Sequence, residues 1–305
     1  MKLAYLFVGQ GAQKVGMGKE VYETYASSRS IFDQALTDFD LKKITFEGPE
    51  EVLNDTTYTQ VCLLVTCCAI ASALDEEGFK AEGVAGLSLG EYSALTYTHA
   101  LSLSQVLPLV RTRGHLMANA LPQGTSSMTA VLSDKLDLLI DILKENKKGI
   151  VEIANYNSPS QVVISGEIEA LRAVENTLRE KGITRLIPLK VSGAFHSSLL
   201  KDASVQLKSH LVNVGLASPQ CPVYFNISGE KETDLKEALT QQICHSVQWV
   251  KTIQNMIRDG FDTFIEIGPG RTLAGLVKQI DPSVVVYSVE SLASIEKLKG
   301  ELKHE

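Results

Sequence analysis

Long basic runs are missing from this 305-residue chain, and its formal net charge is −7. Both facts argue against nucleic acid as the main partner. No uninterrupted apolar stretch reaches the roughly 18 residues that a membrane span needs, so no membrane association is expected. The N-terminus enters a strand-like run at once, without the charged, apolar and small-residue pattern of a secretion signal. Cysteine is sparse: Cys62, Cys67, Cys68, Cys221 and Cys244 form no C-x-x-C pair and no metal-ligand spacing. Neither a zinc site nor a disulfide framework is expected, and buried reduced thiols in a cytoplasmic protein are. There is one tryptophan, Trp249, no internal repeat and no low-complexity linker. What is present is ordinary globular material, 44% hydrophobic and 21% charged, long enough for one large domain or two smaller ones.

The stretch with the most chemistry is Gly86-Leu87-Ser88-Leu89-Gly90. A short apolar run over Glu82 to Leu87 reads as a strand, and Leu89 to Tyr97 as a helix. Ser88 sits on the corner between them with a glycine two residues away on each side. This is the G-x-S-x-G pattern, in which a strained strand-to-helix turn exposes a serine hydroxyl above a sheet. A Cβ at either glycine would crowd that turn. A Gly-rich turn with an incidental serine fits the same letters.

Along the rest of the chain, Leu3 to Val8 reads as a buried first strand running into Gly9-Gln10-Gly11-Ala12-Gln13. A dinucleotide-binding fingerprint fails here, because Lys14 stands where the third glycine belongs. What remains is a tight turn, either without a role or bringing the Gln10 backbone N–H close to a ligand. Residues 19 to 39 suggest a polar helical region. Thr59 or Asp55 is placed to cap an all-apolar, buried helix from Gln60 to Glu77. Ser104 is placed to cap a helix running to about Ala120. Arg113 falls on the apolar stripe of that helix, whereas Arg111 lies on its edge. A guanidinium on a buried face requires an acceptor, either a core carboxylate or a carboxylate on a substrate.

From Ser127 to Val191 the order is strand (Met128–Leu132), helix (Asp134–Asn146), strand (Ile150–Ala154), strand (Gln161–Ser165), helix (Glu167–Lys181), strand (Ile183–Val191). That βαββαβ order is the ferredoxin-like unit, complete in itself and therefore expected as an insertion in a larger domain. The expected division is 1–124 with 193–305 for the large domain and 125–192 for the insert. Ser192-Gly193-Ala194-Phe195-His196 leaves the insert, with a helix following. His196 near a helix start reads either as a packing residue or as a base kept neutral by the helix dipole. Strands over 223–227, 261–267 and 283–289 alternate with helices over 235–244 and 247–258, and the C-terminal tail, with His304, reads as mobile.

These separated motifs together resemble the malonyl-CoA:acyl carrier protein transacylases of fatty acid and polyketide synthesis, over essentially the whole chain. The residues that carry the resemblance are Gly9-Gln10-Gly11-Ala12-Gln13, Gly86-Leu87-Ser88-Leu89-Gly90-Glu91, Arg113-Gly114, Asn157-Ser158-Pro159-Ser160-Gln161-Val162-Val163-Ile164-Ser165-Gly166, Phe195-His196, Val247-Gln248-Trp249 and Glu266-Ile267-Gly268-Pro269-Gly270. The resemblance implies an α/β-hydrolase-like large domain interrupted by the ferredoxin-like unit. It implies Ser88 as nucleophile and His196 as its base, with Arg113 pairing with the free carboxylate of malonyl. It implies an oxyanion hole from the N–H groups of Gln10 and Leu89, and a backbone carbonyl at Gln248 that orients His196. Phe195 before His196, with Leu89 after Ser88, resembles the malonyl-selective pattern. No cofactor is implied. The coenzyme A thioester is a substrate, the acceptor is a phosphopantetheinylated acyl carrier protein, and the chain is expected to be a monomer.

Two positions depart from the family pattern: Leu87 replaces the usual His before the nucleophile, and Ala12 a usual Ser. Carboxylates between Ser88 and His196 lie mostly on the insert's helices, so a carbonyl-oriented dyad is expected rather than a triad with an acid. An acyl hydrolase acting on carrier-bound or CoA-bound acyl groups is the alternative, and Arg113 argues against it. Lys190 and Lys201 are candidate docking cations that read equally as surface lysines.

Overall fold

The computed structural model describes residues 1–191 and 193–302. Ser192 and His304, named above, lie outside the described residues. The strands in chain order are β1 (Leu3–Phe7), β2 (Gly83–Gly86), β3 (Ser126–Leu132), β4 (Val151–Ser158), β5 (Gln161–Glu167), β6 (Leu186–Pro188), β7 (Val223–Tyr224), β8 (Thr263–Ile267) and β9 (Val285–Val289). They form two sheets. The first runs β7-β2-β1-β8-β9 with every pairing parallel. Its central strands are buried along their whole length, which is why they read as continuous apolar runs rather than alternating ones. The second runs β4-β5-β3-β6 with every pairing antiparallel.

Beside the first sheet runs a helix that is buried nearly all round and packs mainly against other helices. Thr56–Glu76 is long and apolar enough, by length and composition, to cross a membrane, yet it is buried within the protein. It begins four residues earlier than its apolar run suggests. Asp55 accepts a hydrogen bond from the Thr57 N–H at 2.8 Å, so Asp55 is the cap, and Thr59 is inside the helix. Likewise Ser102, not Ser104, caps the helix Leu103–Ala118, through a capping box with Gln105. The polar region 19–39 divides into Lys19–Thr24 and Ala26–Gln34. The tail also differs from expectation. Leu292–Leu302 is a helix with Ile295 and Leu298 buried, and Lys299 pairs with Glu77 at 3.0 Å. A partly amphipathic pattern with two well-spaced apolar residues is enough to dock a short helix once a surface is there to receive it.

In the second sheet the two-residue period divides the side chains between two interiors. Val131, Val162 and Ile164 face a small core with the helices Leu136–Glu145 and Ile168–Glu180. Met128, Ala130 and Val163 belong to the main core instead. β6 is shorter than the strand expected over 183–191, with single backbone bonds beyond its ends from the Leu132 N–H to the Arg185 carbonyl and from the Leu189 N–H to the Met128 carbonyl. β4 is broken by irregularities after Ile153 and Tyr156. Between these points it stays paired with β5 and on its other edge bridges to Val247, with Tyr156 N–H donating to Val247 O and Val247 N–H to Ala154 O. The second sheet is thus hydrogen-bonded to the segment between the helices Leu235–Gln242 and Trp249–Arg258.

The glycines of the serine corner are fixed by close approach. A Cβ on Gly86 would lie 1.9 Å from the Gly90 carbonyl carbon, and one on Gly90 would lie 2.2 Å from the Phe7 carbonyl oxygen. Gly275, on the exposed side of Thr272–Ile280, meets nothing within 4 Å. Gly90→Ala is therefore expected to destabilise the protein by about 3 kcal/mol or more, because the clash is with backbone. Gly275→Ala is expected to stabilise it by about 0.5–1 kcal/mol. Urea unfolding midpoints at constant m-value measure both.

Candidate active site

Three strand ends deliver the site, all at the carboxyl edge of the parallel sheet, where open α/β sheets form their clefts. β1 leads into Gly9 and Gln10, β2 into Ser88, and β7 into Phe225 and Asn226. Ser88 has a left-handed backbone with φ 55°, an uncommon conformation for a residue with a Cβ. It is held there by Asn226, whose Oδ1 accepts the Ser88 N–H at 2.6 Å while its Nδ2 donates to the Gly86 carbonyl at 2.6 Å. Ser88 Oγ lies 2.8 Å from His196 Nε2. His196 is itself left-handed, φ 56°, and 5% exposed.

The group that orients His196 is not the expected one. His196 Nδ1 lies 2.8 Å from the carbonyl oxygen of Gln242, the last residue of the helix Leu235–Gln242. The Gln248 carbonyl accepts instead from Thr252, as the first carbonyl of its own helix. The helix-end carbonyl at Gln242 is free to leave the helical ladder and meet the imidazole. A carbonyl only accepts, so Nδ1 carries the proton and Nε2 offers its lone pair to the Ser88 hydroxyl. The cause of neutrality also differs from the helix dipole expected. His196 precedes a 3-10 turn, Ser198–Leu200, and the helix Lys201–Leu211 begins only after it. Burial, and then the charge of Arg113, push the imidazole down to about 4.

Arg113 is 1% exposed. Its Nη1 donates to Gln60 Oε1 at 2.8 Å, and its Nη2 donates to Gln242 Oε1 at 2.9 Å and to Ser88 Oγ at 3.0 Å. Its Nε has no partner among the described residues, and its Cζ stands 5.3 Å from the Tyr92 ring centroid. Every partner is neutral, and no carboxylate among the described residues pairs with it. Of the two acceptors open to it from sequence, a core carboxylate is thereby removed. Arg111, by contrast, is partly exposed, pairs with Asp38 at 3.4 Å and covers Tyr58.

The cleft beside these groups has a volume of about 340 Å³. Gln10, Ser88, Arg113, Phe195 and His196 all line it, with apolar walls from Met117, Met128 and Val163. Leu87 lines it too, so the departure at this position gives an apolar neighbour to the serine. Leu89 is buried in the main core at 1% exposure, so only its backbone, at the start of the helix Gly90–Tyr97, is available to a ligand. The Gln10 side chain turns away to Thr56 Oγ1 at 2.9 Å.

Sequence reasoning missed the neutral amides that hold these groups: Gln60, Asn226 and above all Gln242. Gln242 Nε2 also donates to the Ser88 carbonyl at 2.8 Å and to Glu91 Oε2 at 2.5 Å. Gln60 carried a signal, as a polar residue inside an otherwise apolar helix that must find a partner. Burial pushes the Glu91 carboxyl up to about 8, against the pull of the Asn226 N–H, Arg113 and Gln242. Its two oxygens face the Asn226 N–H and the Gln242 Nε2. A proton there would face a donor, so the contacts favour the carboxylate.

Residues 4–303 match the model of the acyl transferase domain family. The malonyl CoA-acyl carrier protein transacylase of Bacillus subtilis strain 168 is 38% identical over 311 residues, covering 100% of this chain and 98% of the relative. The chain belongs to the malonyl CoA-acyl carrier protein transacylase family. The crystal structure of the Clostridium perfringens transacylase superposes with a TM-score of 0.96 at 41% identity, covering 100% of this chain and 98% of that one. A malonyl-transacylase solved in complex with a type II PKS acyl-carrier protein superposes with a TM-score of 0.95 at 34% identity, covering 99% of this chain and 100% of that one.

Because the ordinary histidine value is 6.5, the depressed value has two consequences of known sign. The folded protein keeps His196 neutral while the unfolded chain takes up a proton. This contribution to stability is present above pH 6.5 and lost as pH falls towards 4. The acid limb of kcat/KM for an uncharged acyl ester is expected near pH 4 in wild type. In Arg113→Ala it is expected to move up towards 6.5, since the second cause of the shift is removed. A wild-type limb at 6.5 would mean a solvated imidazole.

Proposed function

We propose that the chain transfers a malonyl group from coenzyme A to the phosphopantetheine thiol of an acyl carrier protein through an acyl-enzyme on Ser88. The observation that carries this reading is the buried Arg113 with only neutral partners, one of them the Ser88 hydroxyl itself. A malonyl group attached at Ser88 would present its free carboxylate to that guanidinium, a charge-assisted contact that acetyl cannot make.

In the first half-reaction the Ser88 oxygen attacks the thioester carbonyl while His196 Nε2 takes the hydroxyl proton. The resulting oxyanion is held by the N–H groups of Gln10 and Leu89, a contribution typically worth about a hundredfold or more in rate. When the intermediate collapses, the C–S bond breaks and the coenzyme A sulfur leaves with the proton held by His196. The carrier thiol then repeats the sequence in reverse roles, giving its proton to His196 and expelling Ser88. The Gln242 carbonyl, at 2.8 Å, stabilises the imidazolium that forms in each half. That geometry supports a dyad oriented by a carbonyl rather than by an acid.

The large unit is read as an α/β-hydrolase-like domain over 1–124 and 193–305, and the insert as ferredoxin-like over 125–192. In the insert's own count its strand order is 2-3-1-4, which supports the latter. Phe195, 6% exposed at the cleft, is read as the side chain that crowds an α-methyl group. The protein is read as a cytoplasmic monomer, a setting consistent with five free cysteines.

Intact mass after mixing with malonyl-CoA should show one malonyl adduct on wild type and none on Ser88→Ala. An undiminished adduct on Ser88→Ala sinks the reading. Arg113→Ala is expected to lower malonyl transfer by about 10- to 150-fold, as for loss of a hydrogen bond to a charged group, and acetyl transfer far less. Equal losses would remove the carboxylate role. Rapid loss of the adduct to water without any carrier would favour the hydrolase.

A further inference from the structure

Glu91 lies in the first turn of the helix beneath Ser88 and is 0% exposed. It touches neither the cleft nor the reacting atoms, yet it holds the two residues that do most of the holding. Its Oε1 accepts the backbone N–H of Asn226, whose side chain fixes the Ser88 N–H and the Gly86 carbonyl. Its Oε2 accepts Gln242 Nε2 at 2.5 Å.

A primary amide has one donor end and one acceptor end. Glu91 and the Ser88 carbonyl both accept, and both meet the same end of Gln242. The Gln242 oxygen is therefore turned to Arg113, which it meets at 2.9 Å. We propose that Glu91 is a positioning residue for acyl selectivity: by dictating which end of the Gln242 amide faces Arg113, it keeps the guanidinium aimed at the acyl carboxylate. This rests on the malonyl reading above and deepens it.

The substitution Glu91→Gln keeps the shape and tests the logic. The Asn226 N–H belongs to the backbone and retains the one remaining oxygen, so the new NH₂ faces Gln242. Two donors then meet, and the Gln242 amide must either shift away from Glu91 or turn over and set its oxygen against the Ser88 carbonyl. Either response disturbs the acceptor that Arg113 meets at 2.9 Å.

The experiment measures malonyl-CoA and acetyl-CoA transfer separately in wild type, Glu91→Gln, Gln242→Met and the double variant. Glu91→Gln is expected to lower the malonyl-to-acetyl ratio of kcat/KM by about tenfold, with the KM for malonyl-CoA rising more than kcat falls. Gln242→Met removes the acceptor directly and should shift the ratio in the same direction. The double variant should lose no more than the worse single one, because the two act in series. Equal loss of malonyl and acetyl transfer in Glu91→Gln, or additive losses in the double variant, overturns the proposal. If Glu91→Gln does not fold, Gln242→Met decides alone: an unchanged ratio there overturns it. Wild type that takes no malonyl at all sinks the functional reading instead, which separates the two failures.

Discussion

A guanidinium with no carboxylate among the described residues in direct contact, only Glu91 across the Gln242 amide, lies between the central buried helix and the serine corner. Moving such a charge out of water costs several kcal/mol even after relaxation. The protein offsets this with oriented amides: Gln60 from the helix Thr56–Glu76 and Gln242 from the end of Leu235–Gln242, with the Tyr92 ring beside the charge. These elements are far apart in the chain and meet only through the fold. The same charge depresses His196 and donates to Ser88 Oγ. Substrate recognition and nucleophile activation are therefore one electrostatic problem, not two adjacent ones.

The sheet solves the geometric part. Its parallel strands end at a common edge, so Gln10, Ser88 and Asn226 arrive together from β1, β2 and β7 without any long-range search. The antiparallel sheet then supplies the opposite wall with Met128 and Val163. Its β4 is tied to Val247, a few residues beyond Gln242. The sheet that walls the cleft is thus hydrogen-bonded to the segment that follows the carbonyl orienting His196.

Much of this was legible in the sequence because it follows from local pattern. The glycines of the corner are required by contacts of 1.9 and 2.2 Å, and the letters alone point to such crowding. Arg113 stands out because a 3.6-residue stripe has no place for a charge. The order of the insert is visible because each of its elements has a clean period. What was not legible depends on contacts between distant segments. Gln242 and Gln248 are both glutamines near the same loop, and which carbonyl meets His196 depends on where the helix Leu235–Gln242 stops. Asn226 and Gln60 are neutral amides with no spacing rule. The docked C-terminal helix was missed because its charged residues hide an Ile295 and Leu298 pair whose burial needs a surface formed elsewhere.

The left-handed backbone at Ser88 has one more consequence. A side chain branched at Cβ is poorly tolerated at φ near 55°. Threonine, chemically the nearest relative of serine, is thus excluded by the bend of the chain, whereas cysteine, unbranched at Cβ, is not. The range of nucleophiles open to this lineage is set by the turn that carries them before their reactivity is ever compared.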